Sequence, residues 1–306
     1  MLDFKEISLE DKPMIDSYYE KFGEGSCQHS FATSFCLQGK YQDRFCEKND
    51  VLYIYRSGIS TEEMRYYLFP MCDRDDKQKM KSAIDEVLDD AHHYGKKVRF
   101  FTITKKCKSL IEEATGDLFF IEDSRDLYEY IYDVEKIASM SGSLFQSKRN
   151  IINKLYKTYE GRITVKELTP NDIEEVKRVY SLWVEGHSSE DKTLFQNEMN
   201  EFNLLLKYFD KINVEGIGIY IDEKLVGFNF GAIISNSTYD GMVQKGDYNY
   251  SGIYEMLNKE TANLLKSKIK YMNFEEDLGL SGLRKAKLMY HPNILLEKYI
   301  ATEVGY

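Results

Sequence analysis

Residues 271–293 read YMNFEEDLGLSGLRKAKLMYHPN, and the fold is decided by how this stretch is read. It begins as a short β-like run and passes through three acids, Glu275, Glu276 and Asp277. Gly279 and Gly282 then turn it into a short basic helix. Arg284, Lys287 and His291 are spaced i, i+3, i+7, which predicts one shared helical face. Pro292 is expected to stop that helix. Acids at a strand end, facing a cationic helix start, suit a polar, phosphate-bearing or acyl substrate.

Upstream, apolar alternation predicts three strands over 214–221, 225–234 and 238–244, joined by short polar turns, and then a helix over 252–267. Residues 295–302 read as a final strand. The half containing these elements opens at Val165-Lys-Glu-Leu-Thr-Pro-Asn-Asp172, where Thr169 caps a helix and Pro170 occupies its first turn. The chain itself opens on a similar pattern, Phe4-Lys-Glu-Ile-Ser-Leu-Glu-Asp11, with Ser8 as the cap. Each copy precedes an amphipathic helix, marked by Met14, Ile15, Tyr18 and Phe22 in one and Ile173, Val176, Tyr180 and Trp183 in the other. This agrees with two similar halves.

In the first half, helices are expected at 30–37, 75–94 and 109–114, and strands at 51–55, 64–69, 97–104, 119–121 and 127–133. A joining helix is expected over 143–159, with Lys148 and Arg149 on its apolar stripes, placed to reach into a cleft or to snorkel. A loop over 186–191 carries His187, which a helix C-terminus explains. The helix after it presents Phe195, Met199, Phe202, Leu206 and Phe209 as a core face.

The pattern Asn273-x-Glu275-x-Asp277-Leu278-Gly279-x-x-Gly282-Leu283-Arg284-x-x-Lys287-x-x-Tyr290-x-Pro292 resembles the C-terminal domain of phosphatidylglycerol lysyltransferase. Ser26-Cys-Gln-His-Ser-Phe-Ala-Thr-Ser-Phe35, with Tyr41 and a strand near Leu52, resembles the start of that family, so the likeness spans nearly the whole chain. The resemblance implies an α/β (α+β) fold of tandem GNAT-like acyltransferase domains, each a mixed, mainly antiparallel sheet flanked by helices. The expected division is 1–140 and 141–306. It also implies acyl or aminoacyl transfer, with aminoacyl-tRNA as donor and a lipid or a small-molecule amine or hydroxyl as acceptor. The alternatives are a non-catalytic binding protein on this fold and a CoA-dependent N-acetyltransferase.

Composition bounds these readings. The 306 residues include 41 Lys and Arg against 51 Asp and Glu, a net charge of −10. That argues against a generally basic nucleic-acid or anionic-membrane binder and leaves room for a local basic cleft. The 24 tyrosines suit clefts as well as cores. Five cysteines without CxxC or metal spacing, no signal peptide, and no apolar run near the roughly 20 residues of a membrane span set the expectation of a cytoplasmic protein with reduced thiols and no metal.

Three demands define the expected site: a base for the acceptor nucleophile, donors for the oxyanion, and a partner for the amino group. Asp277, Glu276 and Arg284 are the expected catalytic residues. Lys287, Lys148, Arg149, Lys245, Tyr250, Tyr254, Asn258, Tyr290 and His291 are the expected substrate-binding residues. In a GNAT-like half the substrate enters where the strand before the cofactor helix and the next strand splay apart, here 238–245 and 271–275. A CoA-binding turn would occupy Gln244-Lys-Gly-Asp-Tyr-Asn-Tyr-Ser-Gly252. Its glycines are wrongly spaced and Asp247 repels phosphate, so no cofactor is expected and acyl-CoA ranks below aminoacyl-tRNA.

Overall fold

The structure is a computed structural model, and it describes residues 1–186 and 192–305. His187 and the loop through residue 191 lie outside the described residues, as does the side chain of Phe195. Along the chain the elements are β1 (Lys5–Glu6), α1 (Lys12–Phe22), α2 (Phe31–Cys36), α3 (Gln38–Tyr41), β2 (Asp43–Lys48), β3 (Val51–Arg56), β4 (Met64–Tyr67), α4 (Lys77–His93), β5 (Lys97–Thr104), α5 (Lys105–Thr115) and β6 (Phe119–Asp123). There follow β7 (Glu129–Asp133), α6 (Val134–Ser139), α7 (Gln146–Thr158), β8 (Ile163–Glu167), α8 (Ile173–Gly186), α9 (Lys192–Tyr208), β9 (Val214–Ile221), β10 (Lys224–Ile234) and β11 (Thr238–Gly246). The chain ends with α10 (Ile253–Leu265), β12 (Tyr271–Glu276), α11 (Ser281–Leu288), β13 (Ile294–Leu296) and β14 (Lys298–Glu303).

These form two seven-stranded mixed sheets, ordered β1-β2-β3-β4-β5-β14-β6 and β13-β7-β12-β11-β10-β9-β8. The chain divides into two compact units. The first holds residues 1–129, 276–281 and those from 295 onward; the second holds 130–275 and 282–294. The expected division at 140/141 therefore differs from the observed one at two strands. β7 hydrogen-bonds into the second sheet, and β14 inserts between β5 and β6 of the first, pairing Ala301 with both Phe100 and Ile121. Short strands carry no record of their partner in their own periodicity, because pairing is decided by the cross-strand neighbours. Three further elements, β2, α6 and α3, were not anticipated, and the single strand expected over 295–302 is two, β13 in the second sheet and β14 in the first.

Both entry motifs form the same device. In the first unit the Asp11 carboxylate accepts the Ser8 N–H at 2.9 Å and a Lys5 Nζ bond at 3.1 Å. In the second, Asp172 accepts the Thr169 N–H at 2.9 Å and a Lys166 Nζ bond at 3.0 Å. These close the helix starts reciprocally. The following helices bury Ile15 and Tyr19, and Val176, Val179 and Tyr180, so Tyr19 takes the core position expected of Tyr18.

The first unit's core lies between β3–β5 and α4, where Tyr67, Ile84, Val87, Val98 and Phe100 are almost fully buried. Beside it, the Ser26–His29 stretch forms a buried polar knot. Glu129 accepts bonds from Ser26 Oγ (2.8 Å) and the Cys27 N–H (3.0 Å), and it pairs with Lys298 Nζ at 2.5 Å. Lys298 also donates to Ser26 Oγ at 2.6 Å. Such a pair holds its geometry only because each buried charge has several partners. His29 lies in the same knot and bonds through Nδ1 to the Gly23 carbonyl at 2.8 Å. Burial, reinforced by the Lys298 ammonium, pushes its imidazole down to about 3. A His in the unfolded chain takes its proton near 6.5, so between 6.5 and about 3 the unfolded state binds one more proton than the fold. His29 therefore costs no stability above pH 6.5, and stability falls as the pH drops below it, by up to about 1.4 kcal/mol per unit. Urea unfolding of the parent and of His29→Asn at pH 7, 5.5 and 4.5 should show a shallower acid loss in the variant. Equal slopes would contradict this.

Candidate functional site

The second unit contains a cleft of about 550 Å³, and strand register creates it. β11 and β12 run parallel and pair only over Thr238–Asp240 against Tyr271–Asn273, although both strands continue. Beyond that they part, as the expected 238–245 and 271–275 splay requires. On the β11 side, register against β10 passes from Phe230↔Val243 to Ala232↔Asp240. Gly241 and Met242 thus stand against the single residue Gly231, a β-bulge that bends the strand and re-aims its side chains. A Cβ on Gly231 would lie 2.2 Å from the Asp240 carbonyl oxygen and 2.4 Å from the Tyr239 ring, so only glycine fits. On the β12 side, the Asn273 carboxamide accepts the Glu275 N–H at 2.8 Å, and Glu275 takes φ +56°.

The floor is supplied by β10, β11 and α10. In β10, Phe228 and Phe230 project to one face and pack on Phe202, while Asn229 projects to the other, toward α10. Asn229 stands opposite Gln244 in the ladder. Its Nδ2 donates to Thr261 Oγ1 at 3.2 Å, and Gln244 Nε2 donates to Asn258 Oδ1 at 2.7 Å. α10 comes this close because Gly227 and Gly246 lie under Ile253, where any Cβ would approach to 2.7 Å. One wall is α7 and α10. Lys148 is 7% exposed, pairs with Glu255 Oε1 at 3.0 Å, and sits 4.5 Å from the Tyr290 ring centroid. Burial raises the Tyr290 phenol well above its ordinary range, with the Glu255 charge adding to it. Phe274, Glu275, Leu283 and Lys287 form the opposite wall.

The turn before α10 is filled by the protein's own groups. The Gly246 N–H donates to the Tyr254 hydroxyl at 3.3 Å. Asp247 is buried and accepts from the Asn249 N–H (3.0 Å) and Nδ2 (2.8 Å).

Of the residues expected from sequence, Lys148, Tyr254, Asn258, Lys287 and Tyr290 line this cleft. The others sit elsewhere. Arg149 caps the end of α6, donating to the Met140 carbonyl and, at 2.6 Å, to that of Gly142. Lys245 lies 3.4 Å from the Trp183 ring centroid, and Tyr250 packs on Tyr159 at 5.5 Å. α11 ends at Leu288, so His291 does not share a helical face with Arg284 and Lys287. The residue before a proline disfavours the α region, and His291 takes φ +53° with its ring edge-on to Phe145. Arg284 is half-buried on α11. Glu276 and Asp277 belong to the first unit, where Cys27 Sγ meets Glu276 Oε2 at 3.5 Å. The fully buried Asp277 pairs with Arg125 at 3.1 Å and accepts the Gly279 N–H at 3.0 Å. Asn229, Gln244, Glu255 and Glu275 were missed. A lone Asn between two phenylalanines in an apolar strand was the available signal.

The model of the phosphatidylglycerol lysyltransferase C-terminal family matches residues 19–302. The chain belongs to this family. Among solved structures, a conserved protein of unknown function from Bacteroides thetaiotaomicron is 28% identical, with a TM-score of 0.92 over 99% of this chain and 100% of that one. L-PGS from Bacillus licheniformis is 17% identical, with a TM-score of 0.70 over 97% and 93% of the two chains. A tandem GNAT protein from the clavulanic acid biosynthesis pathway is 6% identical, with a TM-score of 0.51 over 99% and 98%. The architecture is thus the tandem GNAT-like fold. Among the described residues no helix is long and apolar enough to cross a membrane.

The bulge gives two neighbouring glycines opposite sensitivities. At Gly241 a Cβ meets nothing closer than the Asn273 carbonyl oxygen at 3.5 Å. Gly231→Ala should lower unfolding free energy by about 1–3 kcal/mol through overpacking, and Gly241→Ala by less than about 1 kcal/mol. Urea melts of both variants check this, and equal losses would contradict the bulge argument.

Proposed function

We propose that the protein is an aminoacyltransferase that takes its aminoacyl group from aminoacyl-tRNA and passes it to an amine or hydroxyl acceptor, with the reaction held in the cleft between β11 and β12. The carrying observation is the filled turn before α10. In an acyl-CoA enzyme of this fold, free backbone N–H groups at a helix start would receive a pyrophosphate. Here Tyr254 occupies the Gly246 N–H and the buried Asp247 adds negative charge. Family membership supports the aminoacyl reading in the same direction.

In this reading Lys287, at the cleft wall, attracts the phosphates next to the donor's terminal ribose. The aminoacyl carbonyl lies among the floor residues. Glu275 accepts the proton that the acceptor's nitrogen or oxygen loses as it attacks. The Tyr254 and Tyr290 phenols, kept protonated by burial, donate to the tetrahedral oxyanion. Collapse breaks the ester bond, and the ribose hydroxyl leaves with the proton. Lys148, neutralised by Glu255, fixes the position of the Tyr290 ring. Arg284 and Lys287 share α11 with Lys285 and concentrate positive charge there in a chain of net charge −10. Asp277 accepts the Gly279 N–H in the turn that precedes this helix. The acceptor is a lipid or a small molecule.

Incubation with a mixture of radiolabelled aminoacyl-tRNAs, and separately with radiolabelled acetyl-CoA, tests the donor. Faster loss of label from aminoacyl-tRNA, at least tenfold slower in Gly241→Leu, is expected. Consumption of acetyl-CoA alone, or a rate untouched by Gly241→Leu, would overturn the reading.

A further inference from the structure

We propose that the cleft floor is a subsite for an uncharged polar aminoacyl side chain, one bearing a hydroxyl or a carboxamide, and that Asn229 is its specificity-determining residue; this rests on the aminoacyl-transfer reading above. Asn229 is 3% exposed and lines the cleft, yet among the described residues its Oδ1 has no hydrogen-bond partner. Burying such an atom is costly unless a ligand completes it.

The neighbours narrow the ligand. The polar groups that hydrogen bonds and the ladder place beside Asn229 are neutral: Thr261, which is fully buried, and the bonded pair Gln244 and Asn258; the Glu275 carboxylate stands on the β12 wall of the same cleft. The Glu255 carboxylate is already engaged by Lys148 at 3.0 Å. An ammonium brought to Asn229 would therefore be desolvated among neutral partners. The two carboxamide orientations of Asn229 lead to the same class. With Nδ2 bonded to Thr261, the open atom is an acceptor. With the amide turned over, Thr261 donates to Oδ1 and the open atom is a donor. A hydroxyl or carboxamide satisfies either arrangement, whereas an ammonium, which only donates, satisfies one and a methyl group neither. Sites that hydrogen-bond a substrate group reject analogues lacking it far more strongly than apolar pockets do.

The test uses stable donor mimics, 3′-aminoacylamino-3′-deoxyadenosines carrying seryl, asparaginyl, alanyl or lysyl groups, with binding to the whole protein measured by calorimetry. The expected result is that the seryl or asparaginyl compound binds at least tenfold tighter than both the alanyl and lysyl compounds. That advantage should vanish in Asn229→Leu, whose fold is checked by its circular dichroism melt. Asn229→Asp should instead move the preference toward lysyl. Lysyl binding as tight as seryl and asparaginyl, or an unchanged preference in both variants, would overturn the subsite while leaving aminoacyl transfer standing. Failure of all four compounds to bind would overturn the aminoacyl-transfer reading and the subsite with it.

Discussion

The parallel pairing of β11 with β12 lasts three residues, and the second unit is arranged around where it stops. A longer ladder would satisfy more backbone groups but would close the sheet over the floor. Gly231 removes that option. It alone admits the bulge that carries Gly241 and Met242 out of register. Asn273 then bonds the Glu275 N–H and turns β12 away. α10 is drawn against the open sheet by two further glycines, 227 and 246, so the cleft gains a floor instead of becoming a slot through the sheet. Function in this protein starts from backbone sterics, before any charged side chain is considered.

The placement of charge follows the same economy. In the first unit, the fully buried Glu129 and Lys298 are held in the knot with Ser26, where each carries more than one bond. In the second unit, Lys148 and Glu255 neutralise each other at the cleft wall, so the low-dielectric floor is left to carboxamides and a hydroxyl. Buried carboxamides can select a ligand group by hydrogen-bond geometry without the desolvation cost of a buried ion.

Much of this was legible in the sequence where local chemistry decides structure. The repeated Lys-Glu…Ser/Thr…Asp entries became two matching caps, and the strands at 97–104 and 214–221 formed over those residues. The parting of the strands around 238–245 and 271–275 was what the resemblance to GNAT-like halves implied. What sequence could not supply was partner choice. Nothing within Lys298–Glu303 shows that it pairs with β5 and β6, and nothing within Glu129–Asp133 shows that it joins the second sheet. Side-chain commitments were equally hidden. Arg149 looked like Lys148's neighbour on an apolar stripe, but it is spent on the carbonyls after α6. Asn229 was not singled out in its strand, although its alternation with Phe228 and Phe230 decides which face it serves.

The central claim is that the space between β11 and β12 in the second unit receives the aminoacyl end of the donor. A crystal structure of the protein soaked with a stable aminoacyl-adenosine mimic tests it directly. The account predicts density for the aminoacyl group between Gln244 and Phe274, with a polar atom within hydrogen-bond distance of the Asn229 carboxamide. A mimic bound elsewhere on the protein, with this cleft empty, would contradict it.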